Sequence, residues 1–398
     1  MSYRAKQEYF KQIYNRYRKA LRREKSLILD EFCIVCGYNR KYAITKLNGP
    51  SPFLKKHPKK SGRPSIYNVP ALIEPLRIIW RYAQYPCGKN LAPIIPLWLP
   101  FYESDFKSLD PVVIFLLKRI SPATIDRILK PLRSRLVGKG IATTKPGSLL
   151  RAHIPFKTDQ WQEHRPGFME VDSVAHCGSN AAGTFAISLD MTDIATTWTE
   201  IRATFGKGEI GVWHQINDIE KSLPFALLGF DSDGGSEFFN WHVYKKLSKR
   251  TRPVDFTTSR PYKKNDNAHV EQKNYTHVRN WIGYDRIDHP EIVPLLNNLY
   301  KHSLCPFLNF FTASRKLVSK KRIASKTTKK HDYAKTPFQR ILAHPDVSQE
   351  IKDELKERFA SLNPFKLRKA IDTQSKRIFK KLSLLRLRQQ QHKEVSRG

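Results

Sequence analysis

The sequence predicts a mixed α/β domain of about 120 residues set between basic, mainly helical segments. Three observations predict it. Strand-like and helix-like segments alternate from about 165 to 285, and apolar residues at helical spacing fill the chain before that stretch. The third is charge: 398 residues carry 71 Lys+Arg against 36 Asp+Glu, a formal net charge of +35. Such an excess favours a polyanionic partner, because each phosphate that a Lys or Arg neutralises releases condensed counterions. Nucleic acid is the expected partner.

A hydrophobic fraction of 40% with 11% aromatics supplies real cores and excludes a disordered basic tail. The cysteines, Cys33, Cys36, Cys87, Cys177 and Cys305, are odd in number and scattered, which argues against a disulfide framework and for a reducing compartment. Cys33 and Cys36 form a CxxC, but no second pair lies near to complete four zinc ligands. No signal peptide or membrane span is expected: the N-terminus is heavily charged, and the most apolar run, "LAPIIPLWLPFY", is short and broken by prolines. A cytoplasmic, nucleoid-associated location in a bacterium follows, with no membrane partner.

Residues 1–55 read as a helix-turn-helix region. Leu27, Ile28, Phe32 and Val35 give one apolar stripe, Gly37 the turn, and Tyr42, Ala43, Ile44 and Leu47 the next, stopped by "NGP". Asn39, Arg40, Lys41 and Lys46 then fall on or near the second helix, where a major-groove reader carries its polar and basic contacts. The same outline describes an ordinary helical hairpin.

Residues 56–145 read as a linker and a second helical DNA-binding region. Gly62, Arg63 and Pro64 form an extended arm of the kind that lies in a minor groove. The helical block runs from "ALIEPLRIIWRYA" to "SPATIDRILKPLRSRL", where Ser121 is the expected N-cap, Pro122 the first helical residue, and Ile125, Ile128 and Leu129 the buried stripe. "KGIATTKPGS" marks the next boundary.

The α/β domain occupies 150–300. "GFMEVDSVAH", "TFAISLDMTD" and "TTWTEIRATF" are strands. "GEIGVWHQINDIEKSL", with Ile210, Trp213, Ile216 and Ile219 at helical spacing, is a helix leading to the strand "FALLGFD". The helix "WHVYKKLSKR", the short strand "VDFTTS" and the helix "NDNAHVEQKNYTHVRNWIG" complete it. Residues 301–398 are a basic C-terminal region whose run "SRKLVSKKRIASKTTKKHDYAK" is a solvated face or a tail lying on phosphates.

Three acids fall at corresponding places: Asp172 in the first strand, Asp233 just after the fourth, Glu271 in the helix after the fifth. A strand-embedded Asp is costly unless paired or bound to a metal, yet any one of them could be a structural residue. Their surrounding words are "EVDSV", "DGGSEFFN" and "SRPYKKNDNAHVEQKN". On these words the sequence resembles the retroviral-type integrase core of the DDE transposases of bacterial insertion sequences, a ribonuclease-H-like fold. The family writes its second word Asp-Asn-Gly-x-Glu-Phe; here Gly234 stands in place of the Asn.

The resemblance implies a mixed five-stranded sheet with helices and catalytic, metal-binding roles for Asp172, Asp233 and Glu271. It implies two Mg²⁺ or Mn²⁺ ions, which suit carboxylate oxygens rather than His or Cys. It also implies a reaction: water cuts an element's end, and the freed 3′-hydroxyl attacks target DNA. Lys263, Lys264, Lys273 and Asn274 are then candidate phosphate contacts beside Glu271, although the three lysines fit a solvated face equally well. The partners implied are double-stranded DNA, as element ends and target, and further copies of the chain, since two ends must be held together. The alternative is a non-catalytic DNA-binding regulator derived from a transposase. Within "LLGFDSDGG" the expected ligand is Asp233 rather than Asp231, because the apolar run ends at Phe230 and Gly234-Gly235 permits a turn directly after Asp233.

Overall fold

The computed structural model describes residues 1–53, 66–67, 69–136, 164–232, 241–258, 274–323 and 326–395. It divides into two compact units, Met1–Ser65 and Ile66–Gly398.

The first unit holds α1 (Tyr3–Lys19), α2 (Arg22–Cys36) and α3 (Arg40–Asn48). Gly37 ends α2 with φ +63°, a left-handed backbone that costs glycine nothing, and α3 starts at once. The expected apolar stripe is rotated by about one residue. Ile28, Leu29, Phe32 and Cys36 are buried against Phe10, Ile13, Tyr14 and Tyr17 of α1, whereas Leu27 is 71% exposed. On α3 the buried pair is Ala43 and Leu47, while Tyr42 and Ile44 are exposed. Ile28, Phe32 and Cys36 recur every fourth position, and counting Cys36 as the small hydrophobe it is here selects this face. Cys36 thus belongs to the core, and burial pushes its thiol pKa up.

In the second unit, α4 (Pro70–Tyr82), α5 (Gly88–Leu91), α6 (Ile95–Asp105), α7 (Pro111–Arg119) and α8 (Pro122–Leu136) precede the sheet. Ser121 caps α8 as expected, its hydroxyl accepting from the Thr124 amide at 3.2 Å, and Ile125 and Leu129 are fully buried.

The sheet comprises β1 (Phe168–Ala175), β2 (Ala186–Asp193), β3 (Thr199–Phe205), β4 (Gly229–Ser232) and β5 (Asp255–Thr258) in the order β3-β2-β1-β4-β5. It is mixed: β2 is antiparallel to β1 and β3, while β4 is parallel to β1 and β5. Helix α9 (Glu209–Glu220) links β3 to β4, and α10 (Trp241–Ser248) precedes β5. Strand β1 is therefore central, and both faces of the sheet are covered. Met169, Val171, Ile187, Leu189, Met191 and Phe230 pack with Val212, Ile216 and Ile219 of α9. Ile210, expected on that stripe, is 73% exposed, and Val212 takes its place.

The other face carries Val174, Ala186, Ile201 and Ala203 into a core shared with α4, α6, α8 and the C-terminal helices. Trp98 of α6 shows how tightly these segments interlock. Its indole Nε1 donates to the Phe311 carbonyl at 3.2 Å, and its ring meets Phe365 edge-on at 5.0 Å, at the start of the long helix Pro364–Val395. The helical segment, the sheet and the C-terminal region so share one apolar interior.

Gly229 lets β4 lie against β1, since a Cβ there would come within 2.3 Å of the Phe168 ring. Gly229→Ala is expected to cost about 1–3 kcal/mol through this overpacking. A urea titration checks it: the midpoint falls while the slope stays as in wild type.

Candidate functional site

Asp172 sits at the fifth position of β1, half-buried, with Oδ1 accepting from the Ser173 amide at 2.6 Å. Its antiparallel partner in β2 is Asp190, and Glu170, two residues back, is paired with Thr192 on one side and Asp231 of β4 on the other. Directly opposed residues share a face, and strand side chains alternate with period two. Glu170, Asp172, Asp190 and Asp231 therefore lie on one face of the sheet, around its central strand.

Like charges facing each other across a sheet are destabilising, so the acids need company. Asp190, only 2% exposed, has it: Oδ1 accepts from the Thr192 hydroxyl at 3.1 Å, and Oδ2 meets His277 Nδ1 at 3.0 Å. His277 belongs to a π-helical turn, Asn274–Arg279, a geometry often found at functional positions. That turn begins three residues beyond Glu271 in the chain. The Asp190–His277 contact thus ties the segment following one predicted acid to the strand paired with another.

A polar ladder continues along the same face of β2. His176 Nε2 and Tyr300 OH both bond Ser188 Oγ at 2.8 Å, and the hydroxyls of Thr192 and Thr199 meet at 2.8 Å. Burial, helped by the nearby Arg279 cation, drives the His176 pKa down to about 3, so the ring is neutral at physiological pH. Burial likewise pushes the Tyr300 phenol up. On the opposite face, Arg202 of the edge strand β3 is fully buried between Asp218 at 2.6 Å and Glu200 at 3.2 Å. Burial raises Asp218, but the hydrogen bonds from Arg202 and Lys301 outweigh it and hold that carboxyl below its ordinary value. This cluster pins α9 to β3 and is structural.

Of the predicted site residues, Asp172 is the acid the structure describes. Asp233, Glu271, Arg63, Lys263, Lys264 and Lys273 lie outside the described residues. Asn274 opens the π-turn. Ser232, which precedes Asp233, ends β4 in register beside Val171, which precedes Asp172. Among the described residues no three His, Cys, Asp or Glu side chains gather as a metal would require.

In the first unit, Asn39 caps α3 through its side-chain oxygen, 2.9 Å from the Lys41 amide, and Arg40 is paired with Asp30 and Ser26 of α2. Lys46 lies over the rings of Phe10, Tyr38 and Tyr42. Lys41 is exposed. Asn39 and Arg40 therefore hold the turn together, and Lys41 presents its charge to solvent.

Sequence reasoning missed Asp190 and His277. The available signal was the even-numbered row Ser188, Asp190, Thr192 inside an otherwise apolar strand, which announces a buried polar ladder and therefore partners for its acid.

The fold and site define a mixed α/β protein whose central strand carries an acidic face at its junction with β2 and β4. The chain belongs to the same family as the uncharacterized protein y4rM of Sinorhizobium fredii (strain NBRC 101917 / NGR234). The two are 35% identical over 332 residues, spanning 82% of this chain and 92% of that protein. No family model matches the chain. No helix among the described residues is long and apolar enough to cross a membrane.

The His176 environment gives a prediction with a definite sign. The folded state resists protonating this ring down to pH about 3, whereas an unfolded histidine accepts a proton near its ordinary 6.5. Its contribution is complete above that value and is lost as the pH falls from 6.5 toward 3, by about 1.4 kcal/mol per unit. Between pH 7.5 and 5 that is about 2 kcal/mol. His176→Gln should flatten this part of the stability curve relative to wild type, as read from urea unfolding at several pH values.

Proposed function

We propose that this protein is a DNA transposase with a ribonuclease-H-like catalytic core. It cuts the ends of its element and joins the freed 3′-hydroxyl to target DNA. The observation that carries the reading is the parallel register of β1 with β4. The residues immediately before Asp172 and Asp233, Val171 and Ser232, are Cα partners. Two acids separated by some sixty residues in sequence thus follow adjacent positions on neighbouring parallel strands, as a shared catalytic pocket needs. The mixed five-stranded sheet supports the same reading, as does the formal charge of +35.

The donor chemistry of this face suits hard divalent cations, since it offers the carboxylate oxygens of Glu170, Asp172 and Asp231. Asp172, Asp233 and Glu271 would hold them. When bound, such ions stabilise both the attacking and the leaving oxygen of an in-line phosphodiester displacement. The chain's own residues do the positioning. Asp190 is committed to Thr192 and His277, so it braces the π-turn rather than serving as a ligand. Asp231 stands opposite Glu170 on the Asp172 face, close enough to tune the site without being one of the three acids.

The test uses purified full-length protein and a labelled duplex carrying the DNA that flanks its gene, with Mg²⁺. Cleavage and joining should vanish with a chelator. They should fall to background in Asp172→Asn, Asp233→Asn and Glu271→Gln, while binding to the duplex persists. Asp231→Asn should retain activity within about 10- to 100-fold of wild type, as an outer contact would. A wild-type protein that binds this duplex but never cuts it returns the regulator reading, and full activity in chelator removes the metal from the mechanism.

A further inference from the structure

The C-terminal basic run forms a hairpin, β6 (Leu317–Ile323) antiparallel to β7 (Lys326–His331), in a sheet of two strands. Its root is fixed by several bonds. Ser314 and Lys335 exchange backbone hydrogen bonds at 3.1 Å, and the Lys316 amide donates to Asp332 Oδ1 at 2.6 Å. Arg340 donates to Asp332 Oδ2 at 2.6 Å and to the Ser314 carbonyl at 2.9 Å. Lys316 Nζ reaches the carbonyls of Ile194 and Ala195, in the turn between β2 and β3, at 2.6 and 2.8 Å. Beneath the root, Ala313, Ala334 and Phe338 enter the core of the second unit.

Beyond this anchored base the composition changes. From Leu317 to His331 the cations are Lys320, Lys321, Arg322, Lys326, Lys329 and Lys330, and there is no carboxylate at all. Lys320 stands opposite Lys329 in the ladder. Lys329 and Lys330 are exposed, and neither forms an ion pair among the described residues.

A two-stranded hairpin is marginal in water, and like charges in directly opposed positions weaken it further. Lysines on an exposed edge do discourage pairing with other chains. One or two charges suffice for that, and none of them need face another across the ladder. A ribbon rooted this firmly, yet loaded with charge of one sign, is complete only beside an anion. Duplex nucleic acid supplies a continuous one, about one charge per 1.7 Å of axis, and its major groove admits a two-stranded ribbon.

We infer that strand β7, through its exposed Lys329 and Lys330, is a sequence-independent phosphate-binding arm for double-stranded DNA. It adds a second grip to the first helical unit. Lysine contacts to phosphate position a duplex without reading it, so the arm suits target or flanking DNA, whose sequence varies. The inference rests on the proposed function for the choice of DNA as the polyanion.

The experiment measures binding of the full-length protein to a random-sequence 30-base-pair duplex by fluorescence anisotropy across a salt series. Lys329→Ala/Lys330→Ala should weaken binding roughly tenfold or more near 0.1 M salt. It should also lower the slope of log affinity against log salt by about 2 if each lysine meets one phosphate. The loss should be the same on a duplex of different sequence, and Lys329→Arg/Lys330→Arg should restore affinity. Unchanged affinity and slope in an alanine variant that melts like wild type would overturn the inference. So would a variant that loses binding to polyglutamate but not to duplex, which points to an acidic protein partner, or one that loses binding to duplex RNA alone. These outcomes are separable from the catalytic reading: a protein that never cuts DNA but loses duplex binding with the hairpin lysines keeps the arm, and an active transposase whose variant binds unchanged loses only the arm.

Discussion

A carboxylate can be buried in a sheet only where its charge is met, and the manner in which Asp190 is met organises the surroundings of the acidic face. Leaving such a group without partners costs several kcal/mol, so its bonds to Thr192 and His277 are conditions of folding rather than ornaments. The His277 contact has a second consequence. It fastens the π-turn Asn274–Arg279 to β2, and β2 pairs along its length with the central strand that carries Asp172. Any displacement of that turn must break this part-buried contact, so the chain that follows Glu271 is held in register with the strand that carries Asp172.

The remaining acids of this face are tolerated for a different reason. Glu170, Asp172 and Asp231 are half-buried rather than sealed, at the centre of the sheet where β1 meets β4. Four carboxylates on one face of a protein with a formal charge of +35 oppose its overall field. The contrast with Arg202 is instructive. There, Glu200 and Asp218 flank a buried guanidinium and the charges cancel internally, as a structural network requires. On the acidic face the buried Asp190 meets His277 instead.

The alternation of strands and helices was legible in the sequence because period-two and period-3.6 patterns survive burial on both faces of the sheet. Strands β1, β2, β3 and β5 fall within "GFMEVDSVAH", "TFAISLDMTD", "TTWTEIRATF" and "VDFTTS", and helices α9 and α10 within "GEIGVWHQINDIEKSL" and "WHVYKKLSKR", while β4 takes only the last three residues of "FALLGFD" and runs on to Ser232. Which residues turn inward was less legible. On α2 the stripe lies about one residue from the expected one, with Cys36 counting as core, whereas on α9 Ile216 and Ile219 are buried as expected and only Ile210 gives way, to Val212. Long-range partners were not legible at all. Nothing local links Asp190 to His277, or Lys316 to the carbonyls of Ile194 and Ala195, since those pairings depend on strand order and on how the C-terminal region returns to the sheet. Asp172 could be singled out from its surrounding word, but the acids gathered beside it required the register.

The two basic regions differ in what their charge is attached to, and that difference bears on function. In α3 the polar residues beside the turn are largely occupied: Asn39 caps the helix, Arg40 is paired with α2, and Lys46 lies over aromatic rings, leaving Lys41 exposed. A helix so fixed presents few groups, in defined positions, which is what reading base edges demands. The hairpin is the reverse. Its root is bound through Asp332, Arg340 and Lys316, and beyond that root Lys329 and Lys330 are exposed. Flexible point charges on a rigid base gain affinity from counterion release and lose little when the sequence beneath them changes. The proposed transposase, which would recognise one DNA and act on many, would use both kinds of contact, whereas the regulator reading would need the first alone.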